Sequence, residues 1–197
     1  MPQTLRKIVP SDILSDGDYA AQRDALRKAL LAVKKNRRVE VGPFATFYFE
    51  NYDTMWQQVM EMLRIEKGGA EQVAGELETY NPLIPQGNEL IATLMLEIED
   101  AVVRDRTLLT LGGIEETVFL EIGPERIAAT PTEYEDRTTP DGKTSSVHWL
   151  RFSFTPQQTL AFRRGGERVV LGIAHKNYGH MAVLPEAVCT ELAKDFA

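Results

Sequence analysis

Hydrophobic and polar positions along this chain repeat with two periods, and each period predicts a type of element. Apolar residues recur every three or four positions over 18–36 and 53–67, which predicts two amphipathic helices. Apolar and polar residues alternate over 90–99, which predicts a half-buried strand. Further helices are predicted over 70–80 and after Asp100, Thr155 and Pro185, and further strands over 39–41, 44–49, 117–122, 126–130, 145–154 and 168–175.

The order of these elements predicts the fold class. Several strands follow one another through short turns, and strict strand–helix alternation is missing, so a doubly wound parallel sheet is not expected. We predict a single α+β domain over 1–197, with a helical part at 1–38 and a sheet-containing body at 39–197. The sheet is expected to be mainly antiparallel, with six or seven strands and with helices packed on one face and at the chain ends.

Composition supports one soluble globular domain. The chain has 197 residues, of which 43% are hydrophobic and 26% are charged. No apolar run reaches the roughly 18 residues that a membrane helix needs, and the first residues lack the apolar stretch of a signal peptide. The single cysteine, Cys189, excludes an internal disulfide and a CxxC motif. We therefore expect a cytoplasmic protein without a membrane partner.

Charge is distributed unevenly along the chain. Residues 1–38 hold nine Lys and Arg against four Asp, a net charge of +5, whereas the remainder holds thirteen against twenty-five Asp and Glu, a net charge of −12. The basic cluster at the end of the first predicted helix complements the helix dipole. No aromatic residues are interleaved with it, and the acidic body opposes polyanions, so nucleic acid is not an expected partner. The cluster comprises Lys34, Lys35, Arg37 and Arg38.

One acidic residue falls among the apolar positions of the second predicted helix. At about 100° per residue, Glu66 lies about 20° from Met55, whereas Glu61 lies on the opposite side. Glu61 and Arg64 are expected to pair on the helix surface. Two interpretations of Glu66 stay open: the last turn frays before Gly68 and releases the side chain to water, or the carboxylate points into a cavity beside the sheet.

Ionisable residues also interrupt the predicted strand over 145–154. Alternation places His148 with Leu150 and Phe152, and places Arg151 with Trp149 on the other face. His148 is expected either as a core histidine bonded to the backbone or as an acid–base group. Arg151 is expected either to stack beside Trp149 and pair with a surface glutamate, or to hold an anionic ligand.

Of the other two histidines, His175 ends the predicted strand over 168–175 and His180 lies in an expected loop after it. The His175-x4-His180 spacing differs from the helical spacing of metal ligands, but a loop can still bring both imidazoles to one ion. Glu66 or His148 would complete such a His/carboxylate site for iron, zinc or manganese. No phosphate-binding, dinucleotide-binding or nucleophile-elbow motif is present.

Six segments carry a resemblance to a known family. In chain order they are "RRVEVGP" (37–43), "EMLRIE" (61–66), "YNPLIP" (80–85), "LIATLMLEI" (90–98), "GIEETVFL" (113–120) and "KTSSVHWLRF" (143–152). Together they resemble the uncharacterised bacterial family called domain of unknown function 3501, between residues 10 and 175. Its motifs fall on Glu61, Arg64, Glu66, Tyr80, Asn81, His148 and Arg151.

This resemblance implies a setting, not a reaction. Members of the family are encoded near rubrerythrin-like di-iron proteins and iron–sulfur oxidoreductase subunits, which implies an accessory of a redox or peroxide response that binds a metal or a ligand. In that interpretation Glu66 and His148 hold a transition metal or act as acid and base, while Arg64, Arg151, Tyr80, Asn81 and Glu61 bind or orient a ligand.

Two other interpretations stay open. The chain is a non-enzymatic interaction or assembly module, in which Glu66, His148 and Arg151 form a buried polar network, or it is a small-ligand binder with an arginine clamp. The sequence does not indicate an oligomeric state.

Overall fold

The computed structural model describes residues 6–132 and 137–197. The helices are Asp16–Lys35 (α1), Tyr52–Glu66 (α2), Gly69–Tyr80 (α3), Ala101–Leu108 (α4), Pro156–Arg164 (α5) and Glu186–Leu192 (α6). The strands are Arg38–Val41 (β1), Ala45–Phe49 (β2), Glu89–Leu96 (β3), Val118–Ile122 (β4), Glu125–Pro131 (β5), Val147–Ser153 (β6), Val169–His175 (β7) and Tyr178–Val183 (β8). Short 3₁₀ turns include Pro10–Asp12, Asn81–Leu83 and Ile114–Thr117.

Within the described ranges, eight antiparallel strands form a nearly closed, barrel-like sheet in the order β1-β2-β3-β6-β5-β4-β7-β8. The two ends of the sheet meet at Tyr178. Its hydroxyl donates to the carbonyl oxygen of Val41 (2.8 Å) and accepts from the backbone N–H groups of Phe44 (2.8 Å) and Ala45 (2.9 Å). One side chain therefore closes the barrel where β1 and β8 lack a continuous ladder.

The mixed α+β class is confirmed, but the expected six or seven strands are corrected to eight in the described residues. The additional strand is β8, which pairs with β7 across a two-residue turn at Lys176 and Asn177. Tyr178 is buried at its first position, whereas most of the following side chains are exposed. The strand lies at the edge of the sheet and buries neither face regularly, so it lacks the alternation that reveals a strand in sequence.

The sheet separates two apolar clusters. Fully buried residues such as Phe47, Leu94 and Phe152 fill the inside of the barrel. Helices α4, α5 and α6 add Leu108, Phe162 and Leu192 to this inner cluster. On the outer face, α2 and α3 cover β3 and β6 through a second cluster that contains Met55, Val59, Leu63, Leu77 and Ile91, with Trp149 packed against it.

The start of α2 is fixed by a reciprocal cap. The Asn51 side chain accepts from the Thr54 N–H (3.0 Å), and the Thr54 hydroxyl accepts from the Asn51 N–H (2.9 Å). This capping box satisfies two donors that the helix leaves unpaired. It also fixes the Thr54 hydroxyl beside Glu50, the residue that links β2 to the cap. Local helix capping therefore helps to position a buried carboxyl group.

Each helix in residues 6–132 and 137–197 is too short or too polar to cross a lipid bilayer.

Candidate functional site

A cleft of about 290 Å³ lies on the outer face of the sheet, beneath α2 and the end of α3. We call it the outer cleft. Its floor is one row across three strands, because Tyr48 pairs with Thr93 and Thr93 pairs with Trp149. Glu50 follows Tyr48 by two positions and so lies on the same face. Thr54 and Tyr80 line the cleft from the helices.

Glu50 is a buried acid without an ion pair in the described residues. Only 7% of the residue is exposed. One carboxyl oxygen accepts from the Thr93 hydroxyl (2.7 Å) and the other from the Thr54 hydroxyl (2.6 Å). Burial raises the pKa of Glu50 above its ordinary value of 4.5, although the two hydroxyls and the charges of Lys34 and Arg37 act in the opposite direction. A cleft-lining acid with a raised pKa is typical of functional sites.

Arg37 supports the backbone beside this acid. Its guanidinium is 1% exposed and donates to the carbonyl oxygens of Phe49 (2.9 Å) and Glu50 (2.9 Å) and to the Asp195 carboxylate (2.5 Å). The Nη1 atom lies 3.7 Å from a Glu191 oxygen and has no hydrogen-bond partner among the described residues. Arg37 thus joins the strand end at Glu50 to the C-terminal segment, and it also lines the outer cleft.

Three aromatic side chains line the outer cleft. Tyr48, Tyr80 and Trp149 are each partly exposed. Burial raises the pKa of Tyr80 above its ordinary value of 10.0, and its neutral hydroxyl can donate a hydrogen bond. Arg137 lies over the Trp149 ring at 4.6 Å. Pockets for small organic molecules are usually lined by apolar and aromatic side chains around a few polar groups.

Glu66 does not contribute to this cleft. α2 ends at Glu66, the next residue adopts a left-handed conformation, and the Glu66 side chain is exposed. Its carboxylate accepts from the Gln72 amide (3.1 Å). The interpretation of a carboxylate aimed into a cavity is therefore corrected: the helix stops before burial would require a partner, and water solvates the charge.

The spacing predicted that Glu61 pairs with Arg64 on the helix surface, and this prediction is wrong. It accepts instead from Arg23 of α1, at 2.7 Å from Nε and 2.9 Å from Nη2, and from the Tyr19 hydroxyl at 2.7 Å. The Arg23 hydrogen bonds are the largest cause that lowers the pKa of Glu61 to about 2. Arg64 is exposed. Glu61 therefore fastens α1 to α2.

His148 and Arg151 lie on opposite faces of β6, so they cannot share a site. His148 faces the inside of the barrel, where its Nε2 lies 2.9 Å from the Ser145 carbonyl oxygen and its Nδ1 lies 3.6 Å from a Glu115 oxygen. Burial lowers the pKa of His148, and Glu115 opposes this effect. His148 is a core histidine bonded to the backbone, one of the two expected arrangements. Because α2 covers the outer face, Glu66 and His148 are also separated by the sheet.

On the outer face, Arg151 donates to the Glu89 carboxylate (2.5 Å) and to the Pro82 carbonyl oxygen (3.2 Å). The expected pairing with a glutamate is present, but Glu89 is buried and not on the surface. Stacking over Trp149 is provided by Arg137 instead of Arg151.

Both remaining histidines belong to strands, as predicted for His175, whereas the expected loop around His180 is corrected. His175 ends β7, with its Nδ1 accepting from the Asn177 N–H (3.2 Å). His180 lies in β8, where its ring packs against Tyr178 at 4.5 Å. Across 6–132 and 137–197, no three His, Cys, Asp or Glu side chains come together in an arrangement that could hold a metal ion. The predicted ligand set of His148, His175, His180 and Glu66 is not assembled, and these residues do not fit a transition metal.

Tyr80 is the one sequence-predicted residue that lines the outer cleft in the described structure. Its neighbour Asn81 instead binds the N-terminal segment: its amide accepts from the Ile8 N–H (2.7 Å) and donates to the Ile8 carbonyl oxygen (3.0 Å).

Glu50 was not among the residues predicted from the sequence. The available signal was an acid placed directly between a buried strand and a helix cap, on the face of Tyr48.

Comparison with known proteins supports the fold. The chain matches a family model described as "Protein of unknown function (DUF3501)" over residues 7–196. A crystal structure of a novel protein of unknown function from Burkholderia pseudomallei K96243 is 32% identical to this chain, with a TM-score of 0.90. The alignment covers 97% of this chain and 100% of that one. A search of curated proteins finds no match.

Proposed function

Because this chain belongs to the DUF3501 family, whose description assigns no activity, we propose its function from geometry: it binds a small organic molecule in the outer cleft. The observation that carries this proposal is Glu50, a buried carboxyl group that has no cationic partner in hydrogen-bond contact among the described residues. The family resemblance expected from the six sequence segments is confirmed by the match over nearly the whole chain.

Glu50 retains capacity for a ligand. Each carboxyl oxygen has two acceptor positions, and each accepts one described hydrogen bond, from Thr93 or Thr54. One position on each oxygen is therefore available to a donor on a bound molecule. A buried acid costs free energy unless it is fully bonded, and a ligand that donates to Glu50 would offset that cost.

The aromatic residues of the outer cleft favour one class of ligand, namely flat molecules. Tyr48, Tyr80 and Trp149 all line the cleft, and aromatic rings pack favourably against other flat rings. A flat molecule with an N–H or O–H donor on its edge would pack against these rings and donate a hydrogen bond to Glu50. We therefore propose a planar, hydrogen-bonding ring compound as the ligand.

The test is a thermal-shift and calorimetric screen of adenosine, AMP, uridine, indole-3-acetate and nicotinamide on the wild type, Glu50→Gln and Glu99→Gln. Glu99 is exposed, so its variant is the matched control. We expect at least one ring compound to bind, Glu50→Gln to weaken its binding about tenfold, equivalent to about 1.4 kcal/mol, and Glu99→Gln to leave it unchanged. Equal binding by Glu50→Gln and the wild type, or binding by no compound, would overturn the proposal.

A second candidate is the interaction or assembly module. Its support is that several motif residues bond within the chain: Glu61 to α1, Asn81 to Ile8, and Arg151 to Glu89. For this candidate we expect Glu50→Gln to change only stability. The same screen therefore separates the two functions, because only the ligand-binding function predicts lost binding.

We propose the redox accessory role as the setting of this binding. Its support is the gene neighbourhood that the family resemblance implies, with rubrerythrin-like proteins and iron–sulfur oxidoreductase subunits as partners. Mixing the purified protein with a purified rubrerythrin-like protein from the same organism, followed by sedimentation, tests this role. Formation of a complex is the expected result, and separate sedimentation of both proteins at about ten micromolar would contradict it.

A further inference from the structure

A second depression adjoins the outer cleft. It has a volume of about 540 Å³ and runs between α1 and α2. We call it the basic groove, after its cations Arg23, Arg27, Lys28 and Lys34. Lys34 and Gln58 line both the basic groove and the outer cleft, so the two depressions are contiguous.

The basic groove holds cations that the described residues leave unneutralised. Arg23 is bonded to Glu61, but Arg27, Lys28 and Lys34 are exposed and have no ion pair in the described parts of the chain. Asp24 is the other acidic residue that lines it. Four cations against two carboxylates give the groove a positive balance in a chain whose net charge is −7.

Helical spacing aligns Arg27 and Lys34 along α1, and Lys34 also lines the outer cleft. Arg27 and Lys34 are seven residues apart on α1, so they lie on one side of the helix about two turns from each other. Lys34 is at the cleft end, and Arg27 lies farther along the groove. A ligand held in the outer cleft would meet Lys34 first and Arg27 next.

We propose that the ligand of the outer cleft carries a phosphate group, and that Lys34 and Arg27 bind this phosphate in the basic groove. This inference rests on the proposed function and assigns its ligand class: a planar ring joined to a phosphate, the chemistry of a nucleoside monophosphate. Lysine and arginine are the side chains that recognise phosphate in proteins.

The two volumes agree with this division of the ligand. The outer cleft, at about 290 Å³, is at the small end of ligand sites, which run from about 300 to 1,000 Å³. It has room for the ring part of such a compound. The basic groove provides the remaining space and the opposite charge for the sugar phosphate.

The experiment measures calorimetric affinities of two matched pairs, adenosine with AMP and uridine with UMP, together with inorganic phosphate. The proteins are the wild type, the double variant Arg27→Gln/Lys34→Gln, and the control Lys35→Gln. Lys35 is exposed and lines neither depression. Measurements at about 50 and 300 mM salt test the electrostatic origin of binding.

We expect the monophosphate of at least one pair to bind about tenfold or more tightly than its nucleoside, with the advantage falling at high salt. The double variant should lose this advantage and keep its affinity for the nucleoside, and Lys35→Gln should match the wild type. Equal affinity for nucleoside and monophosphate would overturn this inference while leaving the cleft as a ring-binding site. Binding of inorganic phosphate as tight as that of the monophosphates, or no binding by either pair, would also overturn it, whereas the proposed ring class fails only if no ring compound of the screen binds.

Discussion

Two glutamates of this chain show how tertiary partners set the charge state of a side chain. Glu61 receives the Arg23 guanidinium and has a pKa of about 2, whereas Glu50 is buried against hydroxyl groups and has a raised pKa. The residue type is the same in both places. The partners come from 38 and 43 residues away, so the opposite shifts arise only after folding.

Glu61→Gln is predicted to destabilise the protein in a pH-dependent way. The folded pKa of Glu61 is lowered, so its stabilisation is present above its ordinary pKa of 4.5 and is lost as pH falls towards about 2. We expect the variant to lose about 1–3 kcal/mol of unfolding free energy near neutral pH. Urea unfolding at about pH 7 and 3.5 should show this loss shrinking at the lower pH, and a constant loss would contradict the assignment.

Glu50→Gln is predicted to have the opposite pH dependence. The folded pKa of Glu50 is raised, so its contribution to stability is present below the ordinary pKa and is lost as pH rises through the folded value. The neutral amide avoids the buried charge. We expect the melting temperature of the variant to rise relative to the wild type between about pH 5 and 8. Glu99→Gln serves as the control, and a relative fall over this range would refute the raised pKa.

At the scale of elements, the end of α3 holds the N-terminal segment in place. Asn81, just after α3, binds Ile8 through both ends of its amide, and Ile8 is completely buried. Arg6 adds a bond to the Pro85 carbonyl oxygen (3.1 Å). The N-terminal segment is therefore attached to the molecule through polar bonds around one apolar anchor.

Asn81→Ala is predicted to release this segment. The variant leaves the Ile8 N–H and carbonyl group without their partner, which should cost about 1–3 kcal/mol. Hydrogen exchange should accelerate at Ile8 and Val9 more than in β3. Asn81→Asp keeps the acceptor and loses the donor, so it should show an intermediate effect. Unchanged exchange at Ile8 in the alanine variant would contradict the role of Asn81.

At the scale of the whole molecule, the barrel depends on a contact between its two edge strands. Tyr178 of β8 bonds to Val41 of β1, to Phe44 of the turn and to Ala45, the first residue of β2. Backbone groups that are buried without partners are costly, so this hydroxyl compensates for the missing ladder bonds between the edges.

Tyr178→Phe is therefore predicted to lower the unfolding free energy by about 1–3 kcal/mol, because three backbone groups lose their partner. Tyr48→Phe is the matched control, since the Tyr48 hydroxyl bonds at an exposed position to Glu97 (2.7 Å). Urea unfolding should give a clear loss for Tyr178→Phe and a smaller one for Tyr48→Phe. Equal effects of the two variants would show that barrel closure does not depend on the hydroxyl.

Much of the element structure was determined by the sequence itself. Asp100 caps α4 through the N–H groups of Val102 and Val103, and Thr155 caps α5 through Gln158, so both helices begin where the sequence predicted them. Alternation also assigned His148 and Arg151 to opposite faces of β6. These features depend on residues within a few positions of each other, and such local geometry is directly encoded in the order of side chains.

Only the tertiary structure decided the candidate site and the last strand. β8 is a strand because β7 pairs with it, although its own pattern lacks alternation. Glu66 is exposed because α2 ends there, and Glu50 is buried with a hydrogen bond from Thr93, which lies on another strand. Burial and charge partners depend on which distant segments pack together, and that information is absent from any short window of the chain.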